Sequence, residues 1–518
     1  MKTFNIKNKQ SGLFSKGITV LSLAFVLHGF GKCIGGGVAG HIVKKTSDEE
    51  FRQMVKNVKD VRDWKDEKGL SFFIAAIKHD KLEKLKMILK ELFENEKENP
   101  GSKPKSEAFM NAPDPISGNT PLAEAIIRGH TEIFKILVGD QCNGYIDINR
   151  KININKKGEG RTPLLLACKY KRKEMADILL KKPDIDIKSQ APSSGKTSLH
   201  WAVKNNWGGI ANQLIVRLQK DALAAQDNKV ELVSTLFAQD KDGDTAFHTA
   251  LENNQQAIQQ KFIECIKDAW ASQDDKTKLL DALFAQNKNG NTIFHLAMMK
   301  DEHKKTQHEL HEFIKSAFTP EHKNRLKITN NSDETIIDVA IRCNQLEGIL
   351  LIKQLPLGPL CAVNKKGESL LHKVAYKNRL NIFKLVLDQI KDLAPGKSKE
   401  VVVKQLANRT NDGNSVWECV YLSSLCIQPA LSKTNIEMFT YAIDFVKDAL
   451  AADNWNSIIK DIDKREVIHR AKGGISEEYA KKLRNIVTAK QQSAHNQTHS
   501  KPIKEQDYSD DEGIADMN

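Results

Sequence analysis

Four short segments of the chain carry a histidine at the same place: "TSLHWAV" (197–203), "TAFHTAL" (245–251), "TIFHLAM" (292–298) and "SLLHKVA" (369–375). His200, His248, His295 and His372 are the residues best equipped for chemistry, because imidazole both ligates metals and moves protons near neutral pH. A metal needs several ligands converging within a few ångströms. Acid–base or nucleophilic catalysis needs a nucleophile or carboxylate beside each ring, and none recurs there. One histidine per segment, with stacked layers about 10 Å apart, cannot share an ion. The spacing therefore favours a structural part repeated along the chain over a catalytic or metal-binding residue.

Other catalytic signatures are missing. The sequence holds no H-E-x-x-H, no G-x-x-x-x-G-K-[ST] and no G-x-S-x-G, nor the glycine-loop and catalytic-loop set of kinases. "GGGVAG" (35–40) is glycine-rich but follows an apolar run, not a strand, so it is a poor phosphate loop. None of the eight cysteines sits in a C-x-x-C pair, and most lie in apolar helical runs, where a thiol behaves as a small hydrophobe. The expectation is a non-enzyme with no catalytic residues, metal, cofactor or small-molecule substrate.

The elements that position the histidines recur. Ser/Thr-plus-apolar cores begin at Ser71, Thr120, Thr162, Thr197, Thr245, Thr292, Thr335, Ser369 and Ser415, at intervals of 49, 42, 35, 48, 47, 43, 34 and 46 residues. Self-similarity in this range means stacked supersecondary units. In "SGNTPLAEAIIRGHTEIFKILVG" a Gly-Asn turn at Gly118 precedes Thr120, a helix cap, and Pro121, which loses nothing in a first turn. Leu122, Ala125 and Ile126 mark one apolar helical face, Gly129 ends the helix, and Ile133, Phe134, Leu137 and Val138 mark a second.

This pattern resembles the ankyrin repeat, D-x-x-G-x-T-P-L-H-x-A-A-x-x-G-H-x-E-x-x-x-x-L-L. The match is close at "GNTPLAEAIIRGHTEIFKIL" and "GRTPLLLACKYKRKEMADILL" and persists in five further segments up to "GESLLHKVAYKNRLNIFKLVL". It weakens at "GLSFFIAAIKHDKLEKLKMIL" and "GNSVWECVYLSSLC", the first and last units, where one face has no neighbour. The resemblance implies an all-α fold: an ankyrin-repeat α-solenoid of about eight or nine repeats over 66–430 with a C-terminal helical cap. It implies that the histidine ties neighbouring units together. Asn206, Asn254, Asn344 and Asn378 replace the glycine after the first helix, and asparagine is the next best left-handed terminator. Apolar insertions at 219–236 and 271–285 predict a longer second helix or an added short one.

The resemblance also places the binding surface, which in such arrays lines a concave face. The turn tips would be Asn119, Lys156, Lys157, Lys196, Asp242, Asp244, Asn289, Asn291, Lys365, Lys366, Asp412 and Asn414. The exposed first-helix positions would be Glu124, Arg128, Trp201, Asn205, Thr249, Lys300, Arg342 and Lys373. Trp201 stands out as an aromatic anchor, against the alternative that it packs on Trp207 or a neighbouring helix. Its counterparts in other units are Glu124, Leu166, Thr249, Leu296, Val339 and Lys373.

The flanks differ from the array. Lys2, Lys7, Lys9 and Lys16 precede the apolar run Ile18–Phe30, which is too short to span a bilayer. Gly37 and Ala39 supply small residues for a cleavage point. Residues 1–40 therefore read as an export segment, with an N-terminal helix packed on the first repeat as the competing reading. Cys33 follows Lys32, which is wrong for lipid attachment. Residues 41–65 read as a linker or N-terminal helix, and 431–489 as amphipathic helices. Residues 490–518 read as a disordered acidic tail, where Ser509 before Asp510, Asp511 and Glu512 matches an unspecific kinase pattern.

The expectation for function is a protein–protein interaction scaffold, exported from a bacterium, binding a protein, with a host protein as candidate, as a monomer with no membrane span in the mature chain. Two alternatives are a substrate-recruiting array serving a modifying region at 431–489, and an envelope-anchored or nucleic-acid-binding protein drawn by the net charge of +13. Mixed charges along most of the chain leave nucleic acid outside the expected partners.

Overall fold

The computed structural model describes residues 38–66, 68–153, 160–224, 229–272, 276–355, 360–393, 397–422, 431–447, 455–463 and 477–499. The export-like segment up to residue 37, the tips Lys156 and Lys157, and Ser509 lie outside the described residues. The chain divides into two compact units, Met1–Ala282 and Leu283–Asn518.

Each repeat is built by local rules that the unit at Thr120 illustrates. Asp114 Oδ1 accepts the Ile116 N–H at 2.9 Å, curling the chain into a turn that Gly118 completes at φ +73°. Thr120 is extended, and its Oγ1 accepts the Ala123 N–H, capping the Pro121–Arg128 helix. Gly129, left-handed at φ +83°, stops that helix. The Thr131–Val138 helix then returns with Ile133, Phe134, Leu137 and Val138 buried. Helices of eight residues are not stable alone in water. Their stability comes from burying such side chains, roughly 1.5–3 kcal/mol each. All nine predicted Ser and Thr residues cap a first helix in this way.

Within Met1–Ala282 the first helices Phe72–Lys78, Pro121–Arg128, Pro163–Lys169, Ser198–Lys204 and Ala246–Glu252 stack in order, and the second helices stack behind them. Within Leu283–Asn518 the same two layers run through Ile293–Ala297, Ile336–Cys343, Leu370–Tyr376 and Val416–Leu422. The insertions do both things expected of them. The second helices lengthen to Gly208–Ala224 and Gln256–Ser272, and the short helices Lys229–Leu236 and Thr277–Leu283 follow. Strands among the described residues amount to a two-residue antiparallel ribbon, β1 (Ile152–Asn153) with β2 (Gly160–Arg161), pairing Ile152 with Arg161 and Asn153 with Gly160.

The four asparagines adopt left-handed backbone as expected: Asn206 at φ 59°, Asn254 at 53°, Asn344 at 58° and Asn378 at 53°. Asp80 and Lys171 do the same in their units, and Asp333 takes the place of the tip glycine.

The ends depart from the sequence reading. The Val38–Lys45 helix crosses the expected boundary at residue 40, because Val38, Ala39, Ile42 and Val43 form one apolar face against Phe72–Lys78. The Ala39 N–H donates to Asp66 Oδ2 at 3.2 Å, and Lys84 Nζ donates to the Val43 carbonyl at 2.7 Å. With Asp48–Lys56, which packs on Leu82–Glu98, this pair forms one more two-helix layer ahead of the first recognised repeat. At the other end the Glu477–His499 helix runs ten residues into the segment read as disordered. Its Lys490 pairs with Asp444 of Leu431–Val446, the helix on which it packs.

Candidate functional site

The histidines are fasteners. His200 Nδ1 accepts the Thr197 N–H at 3.1 Å, which leaves the proton on Nε2, and Nε2 lies 3.0 Å from the Asp244 carbonyl of the next repeat. His295 makes the same pair of bonds to Thr292 and the Glu334 carbonyl, and His372 to Ser369 and the Asn408 carbonyl. His248 binds the Thr245 N–H at 3.3 Å. All four rings are buried. Burial pushes His200 and His295 down to about 4, against a weaker upward pull from the Asp244 and Glu334 carbonyls, and lowers His372 as well. His200, His295 and His372 are thus neutral, with a backbone partner on each ring nitrogen, and all four rings are closed to substrate.

Where the histidine is replaced, the joint is rebuilt. Asp338 accepts the Thr335 N–H at 2.9 Å and binds Lys373 Nζ of the following repeat at 2.7 Å. Beside it, Ile337, Leu355, Val363 and Leu370 line a cleft of about 320 Å³. In the last repeat Glu418 accepts the Ser415 N–H at 2.7 Å, and Asp461 of the helical stretch 455–463 takes both the Ser415 hydroxyl (2.8 Å) and Arg409 (2.6 Å). A side chain from the C-terminal helices therefore stands where a further repeat would bond.

A second set of fasteners uses the loop between the two helices. Arg172 donates to the Ile126 and Ile127 carbonyls, Asn205 to the Cys168 carbonyl at 2.7 Å, and Gln255 to the Val203 carbonyl. Each satisfies carbonyls left over at the end of the preceding first helix.

These joints decide which expected surface residues are available. Glu124 is a correction: it is buried at 2% exposure, held by Asn119 Nδ2 (2.8 Å) and Arg128 Nε (2.6 Å). Asn119 and Asn291 are likewise buried. Asn205 and Lys373 are engaged between repeats, and Arg342 forks onto Glu334. Asp242 and Asp244 belong to an aspartate-led turn in which Asp240 Oδ1 accepts both their N–H groups. The three carboxylates approach one another. Burial would raise the Asp240 carboxyl, but Lys196 and the turn amides outweigh it and hold it below the ordinary carboxylate range. That charge is already balanced. Thr249 is half-buried with its hydroxyl turned back to the Thr245 carbonyl, and Lys300 is exposed.

Trp201 is half-buried, forms no ring pair with Trp207, and has Lys204 Nζ 5.5 Å from its ring centre. Its Nε1 is sequestered from solvent and has no hydrogen-bond partner. Through the Asn205–Cys168 bond, the end of Ser198–Lys204 sits against the end of Pro163–Lys169, where Lys169 covers Tyr170 at 5.7 Å. Lys204 thus flanks Trp201, and Lys169 and Tyr170 stand at the end of the neighbouring first helix; of these four, only Trp201 was legible as a surface residue.

The two-layer helical stack, one polar turn per unit and one fastener per joint define a helical-repeat protein, and the comparisons specify which. The model for ankyrin repeats in three copies matches residues 145–222, and the single ankyrin-repeat model matches 117–153. The chain contains ankyrin repeats and folds as an all-α ankyrin-repeat solenoid. Among solved structures it is similar to the ankyrin repeat domain of Bcl-3, described as a unique member of the IkappaB protein family, at 15% identity and a TM-score of 0.31, covering 51% of this chain and 94% of that one. No curated protein matches the chain.

Proposed function

We propose that this protein is a non-enzymatic scaffold that binds a protein partner through the exposed edge of its first-helix layer, centred on Trp201. The observation that carries this reading is the half-buried Trp201 ring, an aromatic left partly exposed in the first-helix layer with Lys204 Nζ 5.5 Å from its centre. A partner that packs on the exposed part of the ring completes its burial, as aromatic anchors do at interfaces. Lys204 over the ring and Lys169 at the end of the neighbouring first helix favour an acidic segment.

We also propose export from a bacterium and action on a host protein. The lysines ahead of the apolar run Ile18–Phe30 support export. Val38 and Ala39 are buried, so this reading puts the cut ahead of Val38. Among the described residues no helix is long and apolar enough to cross a membrane. N-terminal sequencing of the fractionated protein tests this part of the reading.

Comparative capture tests the binding face, using the full chain beside W201A, K204E and, on the second-helix layer, K135E. A partner lost with W201A and K204E but retained by K135E supports the proposal. A partner captured equally by all four proteins overturns it.

A further inference from the structure

We infer that the cleft at the joint between the repeats beginning at Thr335 and Ser369 is a docking site for this chain's own acidic segment, residues 505–518, with Ile514 as the inserted side chain. The cleft exists because one fastener is replaced. His200 and His295 reach from their caps to a carbonyl of the next repeat. Asp338 holds the same register, three residues after Thr335, but a carboxylate cannot donate to a carbonyl. It ends instead on Lys373 Nζ at 2.7 Å, and the space a ring would fill stays open. Thr197, Thr245, Thr292 and Ser369, which have a histidine at this register, are buried, whereas Thr335 is half-buried. The opening of about 320 Å³ is of the size at which pockets begin to hold ligands.

The lining is apolar within and cationic at the rim. Leu326, Ile337, Leu355 and Leu370 are buried side chains of the lining, and Val363 stands 53% exposed. An aliphatic side chain laid here removes apolar surface from water on both partners. Lys327 and Lys365 are exposed, and their ammonium groups form no ion pair among the described residues. Lys373 is balanced by Asp338. The remaining carboxylate of the lining, Asp333, accepts the Lys365 backbone N–H at 3.1 Å. With three lysines against two aspartates, the cleft keeps a net positive charge.

The chain holds a segment of matching chemistry. "EQDYSDDEGIADMN" (505–518) has six carboxylate residues and no lysine or arginine, and its Ile514 stands between Glu512 and Asp516. An aliphatic side chain flanked by carboxylates fits an apolar slot flanked by free ammonium groups. The segment lies outside the described residues, and its reach is sufficient. Glu477–His499 packs on Leu431–Val446, which packs on Leu380–Leu393, the second helix of the repeat beginning at Ser369. Two helix-to-helix steps cover about 20 Å. The fourteen residues from 500 to 513 extend to about 45 Å.

The test uses the full chain with a photo-crosslinking amino acid in place of Ile514. It is irradiated at low protein concentration, digested and mapped, in the otherwise wild-type chain, in D338H and in K327E/K365E. The expected result is an intrachain crosslink to the cleft, at Val363 or Leu370. It should be lost in D338H, where an imidazole refills the slot, and weakened by K327E/K365E and by added salt. Lys327 and Lys365 are exposed, so the double variant keeps the test valid if D338H folds poorly. Absence of any intrachain crosslink to the cleft, a crosslink formed only between two chains, or an intrachain crosslink unchanged in both variants overturns the proposal.

Discussion

Acid should loosen this array at its histidine joints, one joint at a time. In the folded chain His200 and His295 are held neutral, pushed down to about 4 by burial, whereas in the unfolded chain they titrate near 6.5. The unfolded state therefore binds more protons between these values, so stability is fully present above about pH 6.5 and is lost as pH falls toward about 4. The shift amounts to about 3 kcal/mol per ring once fully expressed, and about 2 kcal/mol has gone by pH 5. A geometric estimate agrees: without the ring, the buried Thr197 N–H loses its partner, at about 1–3 kcal/mol when left unsatisfied. A long repeat array need not unfold in one step, so the assay is hydrogen exchange of the 198–204 amides at pH 7.5 and 5.0, corrected for intrinsic rates, in the wild type and H200A. Protection should drop about thirtyfold between these pH values in the wild type. It should start lower in H200A and change far less with pH. An equal pH dependence in the two proteins would refute the assignment of that proton to His200.

Three further outcomes follow from the joints. D461N removes the charge that holds Arg409 and Ser415 and should destabilise the last repeat by about 2 kcal/mol, seen as faster exchange over 416–419 with repeats near Thr162 unaffected. G129A places a methyl group 2.5 Å from the Arg172 guanidinium in left-handed backbone. It should cost about 2 kcal/mol, read from the first denaturant transition. N344A should cost about 1 kcal/mol at its φ of 58°, while N344G should cost nothing by the same measure.

What could be read from the sequence was whatever repeats. Nine caps and four left-handed asparagines are local signals, and each held because its physics lies within a few residues. The histidines were legible as fasteners because they recur at the interval of the unit. What failed depended on distant partners. Glu124 occupies a variable position, and only the fold shows Asn119 and Arg128 converging on it. Asn205 looked available because its acceptor, the Cys168 carbonyl, lies 37 residues away. The Val38–Lys45 layer lacks the turn-and-cap signature, so its apolar face merged with the leader-like run before it.

The account's central claim is that partners dock on the edge around Trp201. The most direct measurement places a photo-crosslinking amino acid at position 201 and, in a second protein, at Lys135 on the second-helix layer, then irradiates both in the presence of host extract. The account predicts a discrete protein adduct from position 201, competed by unlabelled wild-type chain and not by W201A, with none from position 135. Adducts of equal yield from both positions, or adducts from position 135 alone, would contradict it.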